Sequence, residues 1–223
     1  MASAVVLLSG GIDSSTLLHY VHCTLGVETI YALSFQYSQR HSRELVAAAA
    51  QAAAVGVHEH RILDISGFGG LTAAGSVLTN PEVEVPDLAA IPESERQQPP
   101  TYVPNRNMAL LSLAAAYAEA NGVRDIYYGA QAQDEYGYWD CTTDFLARIN
   151  ALLALNRKDA VTVHAPFVEK RKADVVRIGL DLGVDFALTW TCYRGGDRPC
   201  GTCPSCVERA GAFSETGQTD PLT

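Results

Sequence analysis

The sequence predicts an α/β domain built on a doubly wound, parallel, five-stranded sheet. Short apolar runs bounded by turn residues alternate with longer stretches of helical spacing along most of the chain, the rhythm of strand, helix, strand. The first run, residues 4–8, breaks at Ser9-Gly10-Gly11-Ile12-Asp13-Ser14-Ser15 and passes straight into a helical stretch. A strand-to-helix turn of this kind lies beyond the carboxyl end of a parallel strand, where such sheets bind ligands.

The turn suits phosphate. Two consecutive glycines let the backbone bend sharply and approach a ligand, and the first N–H groups of the following helix lack internal partners and carry the positive end of its dipole. Ser9, Ser14 and Ser15 add hydroxyls, while the missing lysine and the glycine spacing argue against a G-x-x-x-x-G-K-[ST] loop. A tight turn with a simple helix cap is the bland alternative. Leu17, Leu18, Val21 and Leu25 then keep helical spacing up to Gly26.

Residues 29–35 alternate and carry the β-branched and aromatic residues that strands favour. An alanine-rich helix follows, ending at Gly56, and residues 60–65 complete a β-α-β-α-β unit. Residues 66–100 break the rhythm: Gly67, Gly69 and Gly70 precede Pro81, Pro86, Pro92, Pro99 and Pro100, so this stretch reads as a mobile lid. A helical run reaches Ala120, residues 125–129 form a buried strand, and residues 131–141 follow at the ligand edge. Helical spacing over 145–155, a strand at 161–165 and a helix at 173–182 complete the pattern. Residues 1–190 thus form a nucleotide-binding domain, 191–214 a metal-binding segment and 215–223 a polar, frayed tail.

Among the 223 residues, acids exceed bases 25 to 16, a formal net charge of -9. That balance argues against a nucleic-acid partner, and Lys170-Arg171-Lys172 reads as a solvated helix start. No stretch has the length of a membrane span or a signal-peptide core, so a cytosolic location is expected. In a reducing compartment the clustered cysteines point to metal rather than disulfides. Cys192, Cys200, Cys203 and Cys206, spaced C-x7-C-x2-C-x2-C, can close around zinc with bonds of about 2.3 Å; four thiolates leave no open position, so the metal reads as structural. An iron–sulfur cluster is the alternative, without the ferredoxin-type spacing. Cys23 is expected to be buried in the first helix, and Cys141 to serve packing.

Narrower marks accompany these: Gln39-Arg40-His41 with Glu44, Tyr102-Val103-Pro104 with Arg106-Asn107, Asp134 with Gly137-Tyr138 and Asp140-Cys141, Lys172-Ala173, and the block from Thr191-Cys192-Tyr193 to Cys206. On these the sequence resembles the 7-cyano-7-deazaguanine synthase family of the queuosine pathway, within the PP-loop ATP pyrophosphatase superfamily. The superfamily mark at residues 9–14 equally fits NAD synthetase, GMP synthetase and tRNA-thiolating enzymes. Trp139 stands where the family commonly has proline, Thr142 where it has arginine and Asn105 where it has alanine.

The resemblance implies an adenine nucleotide alpha hydrolase-like fold and an ATP-dependent ligase that joins ammonia to 7-carboxy-7-deazaguanine, with Mg2+ accompanying ATP and a homodimeric assembly. Leu8, Ser9, Gly10, Gly11, Ile12, Asp13, Ser14 and Ser15 are then expected to hold ATP, with Phe35, Gln36 and Tyr37 beside adenine. Arg40, His41, Arg106 and Lys172 are the candidate catalytic cations, with Asp13 helping to place Mg2+. Asp134, Tyr138 and Asp140 are the candidates for the deazaguanine ring, with helix capping before Thr143 as the plainer role for Asp140. A tRNA-thiolating enzyme, an amide-forming or repurposed deazaguanine ligase and a silent nucleotide-binding zinc protein remain the alternatives.

Overall fold

Five parallel strands form a single sheet in the order β3-β2-β1-β4-β5. They are β1 (Ser3–Leu7), β2 (Thr29–Gln36), β3 (Glu59–Asp64), β4 (Asp125–Tyr127) and β5 (Thr162–His164). The computed structural model describes residues 2–40, 42–96, 98–132 and 138–223. The doubly wound parallel sheet is thus as the sequence predicts. The central β1 pairs Val5 with Tyr31 of β2 on one side and with Ile126 of β4 on the other. The chain winds outward from β1 to β3, then returns across β1 to build β4 and β5. The crevice beyond β1 and β4, where the winding reverses, is where such sheets bind ligands.

Seven α-helices occur among the described residues: α1 (Ile12–His19), α2 (Arg43–Val55), α3 (Ser66–Thr72), α4 (Arg106–Ala120), α5 (Thr143–Leu153), α6 (Lys172–Asp181) and α7 (Pro204–Thr216). Helices on both faces explain the unbroken apolar run of β1. Ala4 and Val6 join one core with Leu17, Val176 and Phe213, while Val5 joins the other with Leu111, Ala114 and Phe145. Helix α2 ends as its sequence indicates, with Gly56 in the left-handed region at φ +73. Helix α1 passes into a π-helical turn, Tyr20–Thr24, and Cys23 on that turn is exposed rather than buried.

Residues 66–100 carry more structure than their composition suggests. Besides α3 they contain three short 3-10 turns, and Leu78, Val85 and Ile91 are buried. Arg194 donates to Val85 O and to Asp87, and the Leu88 N–H donates to Thr202 O, so the segment is fastened to the cysteine-bearing region. Leu78, Val85 and Ile91 follow no period, yet each is buried, whereas Val83 between Pro81 and Pro86 is exposed.

The C-terminal residues are clasped rather than frayed. Helix α7 stops at Gly217, φ +72, and Asp220 folds back to accept two hydrogen bonds from the Arg209 guanidinium at 2.7 and 2.8 Å. Arg209 also donates to Thr189 Oγ1 and Phe186 O; its side chain is 2% exposed and that of Asp220 6%. Removing one partner of a buried, hydrogen-bonded pair strands the other charge. Asp220→Ala is therefore expected to lower unfolding stability by about 3–5 kcal/mol in denaturant titrations. Removing the exposed Asp144–Arg148 pair should change it by less than about 1 kcal/mol.

Candidate active site

A cavity of about 480 Å³ opens at the carboxyl ends of β1, β2 and β4. The turn after β1 forms its floor. Gly10 adopts φ +81, and its carbonyl accepts the Trp190 N–H at 2.9 Å. Ser14 Oγ accepts the Ser9 N–H at 3.1 Å and bonds Ser9 Oγ at 2.9 Å. Gly11 is the N-cap of α1 and no side chain caps that helix, so its leading amides are available to an anion. The loop after β4 presses on this turn: a Cβ at Gly129 would lie 3.2 Å from both Asp13 C and Ser14 N.

Leu8, Ser9, Gly11, Ile12, Asp13 and Ser14 line the cavity; Gly10 and Ser15 do not, and Ser15 is fully buried. Phe35 and Tyr37 are on the wall, whereas Gln36, exposed at the end of β2, is not. Gln39 braces this side, accepting the Tyr37 N–H at 2.8 Å and donating to Phe35 O at 3.1 Å.

Of the expected cations, Lys172 and Arg106 reach the cavity. Lys172 Nζ is 2.6 Å from Asp13 Oδ2, with only 12% and 21% of the two side chains exposed, so the end of the basic cluster is not a solvated helix start. Asp13 Oδ1 is buried with no hydrogen-bond partner among the described residues, an acceptor suited to a hydrated Mg2+. Glu208 from α7 lies 4.0 Å from Lys172; desolvation raises its carboxyl above the usual range, opposed by Lys172 and reinforced by Asp13. Arg40 points elsewhere, donating to Val77 O at 3.0 Å and Asn80 O at 2.8 Å, which makes it a brace for residues 66–100 rather than a cavity cation. His41 and Asp134 lie outside the described residues.

Asp140 is 2% exposed and stands behind the cavity wall. Its Oδ2 accepts the Asn107 N–H at 3.2 Å, serving the N-terminus of α4, whose own cap residue Asn105 is left-handed at φ +54 and gives no side-chain bond. Burial raises the Asp140 carboxyl, opposed by the Arg106 charge and the Asn107 hydrogen bonds. The cap before Thr143 falls instead to Thr142 Oγ1, which accepts the Phe145 N–H at 3.1 Å. Tyr138 lines the cavity, its hydroxyl 2.9 Å from Thr101 Oγ1. Trp139 lies off the wall, half-exposed, and donates to Tyr102 OH at 2.7 Å. The structure adds Glu44, Asn107, Cys141 and Tyr193 to the wall. Their signal was position alone: each sits in or beside one of the short marks of the sequence.

The four cysteine sulfurs of the C-terminal block lie within 4.8 Å of one another, with Cys200 and Cys206 at 3.9 Å. A tetrahedron of sulfurs at about 2.3 Å from a metal has edges of about 3.8 Å, so the donor set fits a metal such as zinc. The Cys200 and Cys203 N–H groups donate to neighbouring sulfurs, supporting thiolates. Thr191, Tyr193, Pro204 and Ser205 from this region also line the cavity, which makes the four-cysteine segment one of its walls.

The family model described as queuosine biosynthesis protein QueC matches residues 3–217. This chain belongs to the QueC family. A 7-cyano-7-deazaguanine synthase from Archaeoglobus fulgidus is 47% identical over 220 residues, covering 98% of this chain and 89% of that protein. One from Trichodesmium erythraeum is 42% identical over 226 residues, covering 98% and 99%. Among solved structures, NMN synthetase from Francisella tularensis aligns with a TM-score of 0.52 at 14% identity, over 98% of this chain and 78% of that one. The U34-tRNA thiolase NcsA from Methanococcus maripaludis aligns with a TM-score of 0.52 at 13% identity, over 97% and 64%. At such identities these two share the fold alone, and the cavity belongs to a QueC chain on its full-length relatives.

Proposed function

We propose that the protein is an ATP-dependent ligase that converts 7-carboxy-7-deazaguanine and ammonia into 7-cyano-7-deazaguanine. The observation that carries this is the continuity of the cavity: a phosphate turn with Lys172 and Asp13 opens into an aromatic slot bearing Arg106. Membership of the QueC family and relatives named for this activity support it.

Ammonia cannot displace oxide from a carboxylate. When the carboxylate oxygen attacks the α-phosphorus of ATP, pyrophosphate leaves and the acid becomes an acyl adenylate. Ammonia then adds to the acyl carbon, AMP departs with its bonding electrons, and loss of a proton leaves the amide. Attack by the amide oxygen on a second ATP releases pyrophosphate again, and elimination of AMP with loss of the nitrogen-bound protons gives the nitrile. The uncapped amides of α1 bind the departing pyrophosphate, and the Lys172 ammonium, held by Asp13, offsets charge growing on the phosphates. Asp13 Oδ1 is the acceptor on offer to the Mg2+ that accompanies ATP. The four cysteines would hold zinc, which supplies a structural cross-link here because every position is filled by sulfur. The enzyme is taken to be a cytosolic homodimer without a nucleic-acid partner, the last supported by its net charge of -9.

Mass spectrometry of products from ATP, ammonium and the carboxy-deazaguanine tests this. Nitrile with two AMP per product is expected; amide with one AMP would stop the assignment at the first half, and absence of both would overturn it.

A further inference from the structure

The guanine-like edge of the proposed substrate presents two N–H donors side by side, N1–H and the exocyclic amine, and needs an acceptor in the cavity. Asp140 stands behind the wall. Among the described residues three acids line the cavity: Asp13, Glu44 and Glu208. Asp13 is taken by Lys172, and Glu208 lies against the same ammonium. Glu44 differs: no described residue donates a hydrogen bond to its carboxylate and none forms an ion pair with it.

A partly desolvated carboxylate with no donor among the described residues is costly, and the cost is removed by a ligand that supplies donors. The wall near it is suited to a flat ring, with Tyr37, Trp190 and Tyr193 on the same cavity. Arg106 faces this space with one acceptor among the described residues, the Tyr37 hydroxyl at 3.4 Å, and its guanidinium carries further donors for the acceptor groups of the same ligand. A nearby guanidinium also disfavours ammonium as the partner of Glu44. We infer that Glu44 is the specificity residue that receives N1–H and the exocyclic N–H of the deazaguanine ring. Two carboxylate oxygens meet two donors in a fork, a pairing that an amide side chain cannot reproduce because one of its atoms is itself a donor.

This assignment rests on the reaction proposed above, and ring binding separates the two. Calorimetry of wild type and Glu44→Gln would use 7-deazaguanine and 7-deazahypoxanthine, which lacks the exocyclic amine. Steady-state kinetics would use the carboxy-deazaguanine. Wild type is expected to prefer the amino ring by at least about 100-fold, and Glu44→Gln to shrink that preference below about tenfold. The variant should also raise KM for the acid by about 100-fold, with KM for ATP and ammonium within about twofold. ATP affinity and thermal midpoint serve as the check on folding. An undiminished preference in the variant, no preference in wild type, or a rise in KM for ammonium alone would each overturn the assignment. Glu44-dependent ring binding without turnover would uphold it while defeating the proposed reaction.

Discussion

Gly10→Ala is expected to abolish pyrophosphate release, by at least about 1000-fold, whereas Gly11→Ala should leave the fold intact. The two glycines are adjacent but their demands differ. Gly10 is left-handed, and a Cβ there would collide with the carbonyl oxygen of Glu44, meet Ala48 N at 2.5 Å and Ala47 Cβ at 2.9 Å. The left-handed backbone costs a side chain about 1–2 kcal/mol, and forcing α2 away adds about 1–3 kcal/mol. The displacement would carry Glu44 and the phosphate turn with it. Gly11 has an extended backbone, φ -80 and ψ 175, and a Cβ there would meet nothing nearer than Ser9 Oγ at 3.5 Å. Its substitution should therefore appear as weaker ATP binding as the added side chain grows toward the phosphates, without loss of the thermal midpoint. Thermal unfolding with a pyrophosphate-release assay separates these outcomes; a stable, active Gly10→Ala protein would refute the packing argument.

Stripping the metal with a chelator, or replacing Cys206 by serine, should unfold the C-terminal block and eliminate ATP binding together. Structural zinc in a small four-ligand site contributes apparent free energy on the order of 10–16 kcal/mol, as large as the roughly 5–15 kcal/mol stability of a whole domain. The damage would not stay local. Cys203 is the N-cap of α7, Phe213 of α7 packs edge-on against Phe186, and Glu208 stands beside the Lys172–Asp13 pair. Thr202 O anchors residues 66–100 through Leu88. Because protons compete for the thiolates, the block should hold its metal less tightly as pH falls. Elemental analysis with an absorption spectrum distinguishes zinc from iron and sulfur. Apo-protein that kept its thermal midpoint and its affinity for ATP would show the metal to be dispensable.

The sheet and its ligand edge were legible because β1, β2 and the helices between them obey simple periods. The four-cysteine site was legible because metal ligation demands a fixed residue type at short spacing. Residues 66–100 were not, since Leu78, Val85 and Ile91 enter the core singly and without period. The Asp220 clasp was hidden for a related reason: a polar residue reads as solvent-exposed until its buried partner is known. Within the site, the phosphate turn could be recognised from backbone logic alone, but the roles of Arg40 and Asp140 could not. Both are polar residues in plausible marks, and only the carbonyls of Val77 and Asn80 and the amide of Asn107 show that Arg40 braces residues 66–100 and Asp140 the start of α4. His41 and Asp134 lie outside the described residues, so their expected roles rest on sequence alone.

The hydrogen bond from the Trp190 N–H to the Gly10 carbonyl joins the first turn of the chain to its final quarter. A nascent chain can therefore pair β1 with β2 and β2 with β3 while still on the ribosome, but it cannot finish the nucleotide turn. Lys172, Trp190 and the cysteine block must emerge first. Closing so long a loop is entropically slow, as it is for parallel sheets in general. Nucleotide capture becomes a late folding event, and a prematurely terminated product would be unable to consume ATP.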